Sequence, residues 1–162
     1  MTPWAFVATA LTATAAVAVT GFAAVCVQVR RSRLRVTVAG ESMAPALMPG
    51  QVVIARRVKS PGGLRTGDVV VLVKPERPGN WRWPAAGEGA RLLKRLAALP
   101  GDPVPTPVAS ALGLSGPVPD GFAVVLGDNT TASVDSRDFG LVPVDRLLAH
   151  VPDAPPAAAT LS

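Results

Sequence analysis

Val38-Ala39-Gly40-Glu41-Ser42-Met43-Ala44-Pro45-Ala46-Leu47-Met48-Pro49-Gly50 sets the frame for the rest of the chain. A β-type run, Arg35 to Ala39, leads into it and another, Gln51 to Arg57, leads out. The prolines and the closing glycine stiffen the connection, so Ser42 is expected on a rigid turn between strands, where a side chain is presented to a partner. A serine hydroxyl is a weak nucleophile until a neighbouring base takes its proton. The only histidine, His150, lies near the C-terminus. Lys94, set in the apolar segment Arg91 to Leu99, is the better candidate base.

Composition narrows the fold. A chain of 162 residues suits one modest domain. Aromatic residues make up 4% and Tyr is absent, so Val, Leu, Ala and Ile must build the core. Seventeen Pro and fifteen Gly favour strands and turns over helices in the polar part of the chain. The net charge of +5 is scattered apart from Arg30-Arg31-Ser32-Arg33-Leu34-Arg35. That cluster abuts an apolar run, so a bilayer surface, not nucleic acid, is the expected partner. A single cysteine, Cys26, excludes an internal disulfide and a CxxC metal site. No cofactor and no metal are expected.

Trp4 to Val29 carries no charge. About 20 apolar residues cross a bilayer as a helix, so residues 1–30 are expected to be a transmembrane anchor. A cleaved signal peptide would carry Lys or Arg ahead of the apolar run, and here there is none. Cys26 reads as an ordinary residue of that helix.

Residues 31–151 are expected to form one mainly β domain, and 152–162 a disordered Pro/Ala-rich tail. Val36 and Val38 alternate with polar neighbours, and Gln51 to Arg57 forms a second strand. Val69-Val70-Val71-Leu72-Val73 is a continuous apolar run, the mark of a strand covered on both faces. Glu76 to Ala90 is irregular, with Trp81 and Trp83 either capping a core edge or anchoring the domain at lipid. Arg91 to Leu99 fits a short helix or a strand. Pro103 to Pro119 reads as a connector with little structure of its own. Phe122 to Leu126 is a further strand, Gly127-Asp128-Asn129 a turn, Thr130 to Phe139 a polar stretch, and Gly140 to Val144 with Arg146 to Val151 the closing strands.

Several short motifs now line up in order. Gly40-Glu41-Ser42-Met43-Ala44-Pro45 resembles the GxSMxP box of type I signal peptidases. Gly67-Asp68-Val69-Val70-Val71, then Lys94-Arg95 with Leu99-Pro100-Gly101-Asp102, resemble their GDxV and KRxxxLPGD boxes. Gly127-Asp128-Asn129 with Ser133-Val134-Asp135-Ser136-Arg137-Asp138-Phe139-Gly140 resembles their GDNxxxSxDSRxxG box. The resemblance runs from about Gly40 to Val151 behind an apolar segment.

It implies a signal-peptidase-like β-fold behind one transmembrane helix, and a serine endopeptidase that removes signal peptides from exported proteins after small residues in an Ala-x-Ala-like context. Carried over by position, Ser42 is the nucleophile and Lys94 the general base. Lysine's ordinary pKa is about 10.4, so a base at neutral pH requires burial that disfavours the ammonium; Leu92, Leu93, Leu96 and Ala97 are the expected wall. Arg95 must then point away from the amine or act against its charge. Ser133 resembles the serine that orients the lysine, and Asp135 and Arg137 resemble the ion pair behind it, expected as an i, i+2 pair on one strand face. Asp128 and Asn129 are expected only to form a turn. Gly40 occupies the position where some members place a serine hydroxyl in the oxyanion hole. Met43 and Ala39 are candidate substrate-side residues, with Val52 to Ala55 as a further wall.

The shortness of the polar part resembles a minimal core of that family. Charge places the arginines on the cytoplasmic side, whereas the implied role needs the domain outside; the extracytoplasmic side of a cell membrane is the expectation, because the motifs are the more specific signal. Competing readings are a protease dedicated to one secreted substrate, a self-cleaving Ser–Lys repressor, and a catalytically silent membrane-tethered binding protein.

Overall fold

The computed structural model describes residues 32–58, 60–81 and 91–157. The expected membrane span, Cys26, Trp83 and the last five residues lie outside the described residues. Among the described residues, no helix is long and apolar enough to cross a membrane.

Strand β1 (Arg33–Thr37) and strand β2 (Val52–Arg57) flank the serine turn. Their pairing closes at the turn, where Val38 N–H donates to the Gln51 carbonyl and Gly50 N–H to the Val38 carbonyl, both at 2.8 Å. Strand β3 (Val69–Val73) follows, then strand β4 (Arg91–Ala98). Helix α1 (Thr106–Leu112) leads to strand β5 (Phe122–Leu126), helix α2 (Ser136–Phe139), strand β6 (Val142–Pro143) and strand β7 (Leu147–Val151). They form a seven-stranded sheet in the order β1-β2-β7-β3-β4-β5-β6.

Every residue of β3 is buried, as the unbroken apolar run required. Its side chains alternate between two cores. Val69 and Val71 join Val38, Met43, Leu47, Val53, Ala55, Leu93, Ala149 and Val151 on one side. Val70 and Leu72 join Leu96, Val125, Phe139 and Leu147 on the other. Fully burying one such side chain contributes about 1.5–3 kcal/mol, which makes β3 the central strand of both cores. Arg91–Ala98, open between helix and strand on sequence, is a strand because it pairs residue for residue with β3, from Val69 opposite Arg95 to Val73 opposite Arg91.

Three segments differ from expectation. The Pro103–Pro119 connector contains α1, which buries Val108 against Ala98, Val118 and Val124. Its proline lies in the first turn, where no backbone donor is lost, and Gly113 ends it at φ 63°. The polar stretch before Phe139 contains α2, with Asp135 as its N-cap. The C-terminal segment, expected to be disordered from Pro152, packs Ala154 against the first core and places the Pro155 carbonyl 3.0 Å from the Arg95 guanidinium. Trp81 meets Phe139 edge to face at 5.5 Å, capping the second core.

Candidate active site

The serine turn is tied down from below. Met43 and Leu47 are each 1% exposed and sit in the first core. Between them the chain turns tightly: Ala44 N–H donates to the Glu41 carbonyl at 3.0 Å and Leu47 N–H to the Met43 carbonyl at 2.8 Å. Met43, expected on the substrate side, is therefore a packing residue. Ala39 and Gly40 are exposed, and Ser42 is half-buried. On β2, Val52 and Ile54 face outward while Val53 and Ala55 are core, so only the first two offer surface to a ligand.

Lys94 is 2% exposed, among the largest fully enclosed side chains. It lies opposite Val70 in the β3–β4 register. Strand alternation puts it on the same face as Leu92 and Leu96, which pack in the second core. Leu93 belongs to the first core, on the other face. The amine donates to Ser133 Oγ at 3.0 Å, and that hydroxyl donates its own hydrogen to Asp135 Oδ2 at 2.7 Å. Burial holds the Lys94 pKa below the ordinary lysine value; the Asp135 carboxylate works in the opposite sense and the Arg137 charge adds to the lowering.

Asp135 is fully buried. Burial alone would raise its pKa, but the donors around it hold it down at about 2. Those donors are Arg137 Nε at 2.9 Å and Nη2 at 2.8 Å, Gly127 N–H at 2.9 Å, Ser133 Oγ and the Arg137 N–H at 3.2 Å. The same bond raises the Arg137 pKa. The pair expected on a strand face is instead built at a helix start: Asp135 caps α2 and Arg137 lies within it. Asp138 closes the cap by accepting from Asp135 N–H at 2.9 Å.

Gly127 joins the two halves of the site. A Cβ built there would stand 2.6 Å from the Ser42 carbonyl and 2.6 Å from Ser133 Cβ, and would overlap Ser133 Oγ. Only a residue without a side chain lets the serine turn and the Ser133 segment close on the end of β5. Two residues on, Asn129 N–H donates to the Ser42 carbonyl at 3.0 Å.

Asp128, expected only to shape this turn, takes the Arg95 guanidinium in a two-pronged ion pair, Nε to Oδ1 at 2.7 Å and Nη2 to Oδ2 at 2.6 Å. Both side chains are largely enclosed, 11% and 4% exposed. Arg95 thus points away from the Lys94 amine, on the other face of β4.

Lys94, Ser133, Asp135 and Arg137 therefore form one hydrogen-bonded chain, and Ser42 is brought to it through Asn129 and Gly127. Sequence reasoning missed Gly127, Asn129 N–H and the Arg95–Asp128 pair. Their signal was a glycine-acid-amide run directly after a strand, read only as a turn. His150 sits on β7 opposite Val70 and Arg56. A cleft of about 610 Å³ lined by Val58, Ser60, Gly121, Pro143, Val144, Asp145 and Leu147 contains none of the site residues.

The family model described as "Signal peptidase, peptidase S26" matches residues 5–110 and 106–152. The chain is 27% identical over 127 residues to mitochondrial inner membrane protease subunit 1 of Saccharomyces cerevisiae, covering 69% of this chain and 62% of that protein. It is 37% identical over 117 residues to mitochondrial ATP-independent inner membrane protease subunit 1b of Arabidopsis thaliana, covering 69% and 63%. It is 34% identical over 119 residues to mitochondrial inner membrane protease subunit 2 of Schizosaccharomyces pombe, covering 71% and 60%. The chain thus spans about six tenths of the length of these curated relatives.

Proposed function

Since the chain belongs to the signal peptidase family, peptidase S26, we propose that it is a membrane-bound serine endopeptidase that removes signal peptides after small residues, with Ser42 as nucleophile and Lys94 as general base. The observation that carries this reading is the enclosed Lys94 amine, 2% exposed and held by Ser133. A dry amine favours the neutral form, the only form that can accept a proton.

In the proposed reaction Lys94 takes the hydroxyl proton as Ser42 Oγ attacks the scissile carbonyl. The Ser42 backbone N–H is the first donor to the oxyanion, where charge develops. Collapse of the tetrahedral intermediate breaks the C–N bond, and the Lys94 ammonium returns its proton to the departing amine. Water then attacks the acyl-serine ester, giving its proton to Lys94; the released signal peptide carries the new carboxylate, and Ser42 regains its hydrogen. Ser133 holds the amine in one orientation throughout, because its own hydrogen is committed to Asp135. The Asp135–Arg137 pair keeps that acceptor ionised.

Substrate would lie extended along the exposed Ala39–Gly40 edge, where main-chain bonds tolerate variable sequence. Val52 and Ile54, 47% and 44% exposed, are candidate apolar contacts. Residues 1–30 are proposed as the anchor, with the domain on the extracytoplasmic side of a cell membrane; a reporter fused after Val151 reads that orientation.

Ser42→Ala and Lys94→Ala are each expected to abolish cleavage of an Ala-x-Ala preprotein in detergent. Wild-type cleavage by Lys94→Ala would overturn the assignment of the base.

A further inference from the structure

The guanidinium of Arg95 makes four hydrogen bonds to three separate segments. Nε and Nη2 hold Asp128, Nη1 donates to the Gly67 carbonyl at 2.8 Å, and Nη2 also donates to the Pro155 carbonyl at 3.0 Å. Gly67 belongs to the turn that enters β3, and its N–H donates to the Leu96 carbonyl at 2.8 Å. Asp128 belongs to the turn whose next residue holds the Ser42 carbonyl. Pro155 belongs to the segment that leaves β7.

That segment is held at two points. Ala154 packs against the first core, the one that also holds Met43 and Leu47 of the serine turn. One residue later, the Pro155 carbonyl meets the residue next to the lysine. The contacts fall on the face of β4 opposite the Lys94 amine, so they can set its position without meeting substrate.

Resting on the reading of Ser42 and Lys94 as nucleophile and base, we propose that Arg95 is a positioning residue that holds the Lys94 strand in register with the Ser42 turn, and that residues 152–155 form a strap locking it. Arginine is suited to this task because its planar fork offers five donors in fixed directions. Lysine would keep the charge but lose the paired geometry toward Asp128 and the reach to both carbonyls. Without the strap, one guanidinium donor loses its protein acceptor and the first core, in which the serine turn is rooted through Met43 and Leu47, loses Ala154. Asp128 and Asn129 are then free to shift, and Ser42 shifts with them.

The test compares the full chain, a deletion of residues 154–162, and Arg95→Lys, all in detergent with an Ala-x-Ala peptide. A misplacement on the order of 1 Å costs about 100-fold in rate. The expected result is therefore a kcat lowered about 10- to 100-fold in both variants with KM little changed. The acid limb of the kcat/KM profile is expected to move to higher pH, because a loosened register leaves the amine less well covered. Amide hydrogen exchange at Asn129 is expected to accelerate while Val71, in β3, keeps its protection. Unchanged kcat, unchanged pH profile and unchanged Asn129 exchange, with only a lower Tm, would overturn the proposal and leave the strap a purely stabilising contact. If the unaltered chain does not cleave, the Ser42–Lys94 reading fails, and Asn129 exchange still decides whether the strap holds the turn.

Discussion

The backbone N–H of Asn129 holds the carbonyl of Ser42 at 3.0 Å, so the position of the serine turn is set by a strand end far from it in sequence. The lysine is set by the same strand end, since Gly127 N–H bonds the carboxylate that orients Ser133. Ser42 and Lys94, the proposed nucleophile and base, thus share one reference point, and the predictions test how rigid it must be.

Gly127→Ala probes it directly. The added methyl group has no room, because Ser133 and the Ser42 carbonyl both lie inside its contact radius. Overpacking of this kind costs about 1–3 kcal/mol, a drop in Tm that leaves the fold intact. Cleavage is expected to fall about 100-fold, as the two halves of the site are pushed apart. Near-normal kcat in a folded Gly127→Ala protein would show that Ser42 and Ser133 need not close on this glycine.

The family boxes were legible because each is short and local, and β3 was legible because no polar residue interrupts Val69 to Val73. Other parts were not, for physical reasons. Arg91–Ala98 has apolar spacing that serves a helix as well as a strand, and its pairing with β3 decided between them. Helix α1 begins at a Thr-Pro pair in a proline-rich stretch, where local signals favour an irregular chain, and it is held by Val108 entering a small core of its own. The Asp135–Arg137 pair was legible as a contact but not as a helix cap, because a strand also places i and i+2 together. No local signal marks the Pro155 carbonyl, whose role depends entirely on where Arg95 points.

Lys94→Met should remove activity and raise stability at neutral pH. Burial lowers the Lys94 pKa in the folded protein, so the unfolded chain binds more protons between the folded pKa and the ordinary value of 10.5. Stability of the parent protein therefore rises with pH across that interval, and the penalty is fully present below it. Methionine fills similar volume without that penalty. Urea midpoints at a series of pH values should show the variant more stable at pH 7, with its advantage shrinking as pH approaches 10.5. An advantage that does not shrink would mean that the amine is charged inside the fold.

Asp135 should govern acid stability. Its folded pKa is about 2 against an ordinary 3.8. A depressed carboxylate contributes stability that is present above its unfolded value and lost as pH falls through the folded one, here between about pH 4 and pH 2. The contribution is on the order of 2 kcal/mol. Asp135→Asn, which leaves Arg137 without its ionised partner, should cost about 3–5 kcal/mol at pH 7 and flatten the acid limb. It should also lower kcat, because Ser133 loses the acceptor that fixes its hydroxyl. An unchanged acid limb in the variant would place the acid transition at another carboxylate.

Gly40→Ser tests the oxyanion hole from the side of gain. A side chain built at Gly40 meets nothing within 4 Å, and the residue does not have a positive φ, so serine costs little conformationally. Its hydroxyl would stand two residues before Ser42, on the exposed rim of the turn. Removing one such donor from a hydrolase costs about 100- to 1,000-fold in kcat. Adding one to the proposed oxyanion site should recover part of that range, about 10-fold, with KM nearly unchanged because the new bond strengthens only as charge develops. The measurement is kcat and KM on one Ala-x-Ala peptide for Gly40→Ser beside Gly40→Ala, which adds bulk without a donor. A gain in the serine variant and none in the alanine variant would assign the hydroxyl to the oxyanion, whereas equal rates in both would mean that the Ser42 N–H already has a sufficient companion.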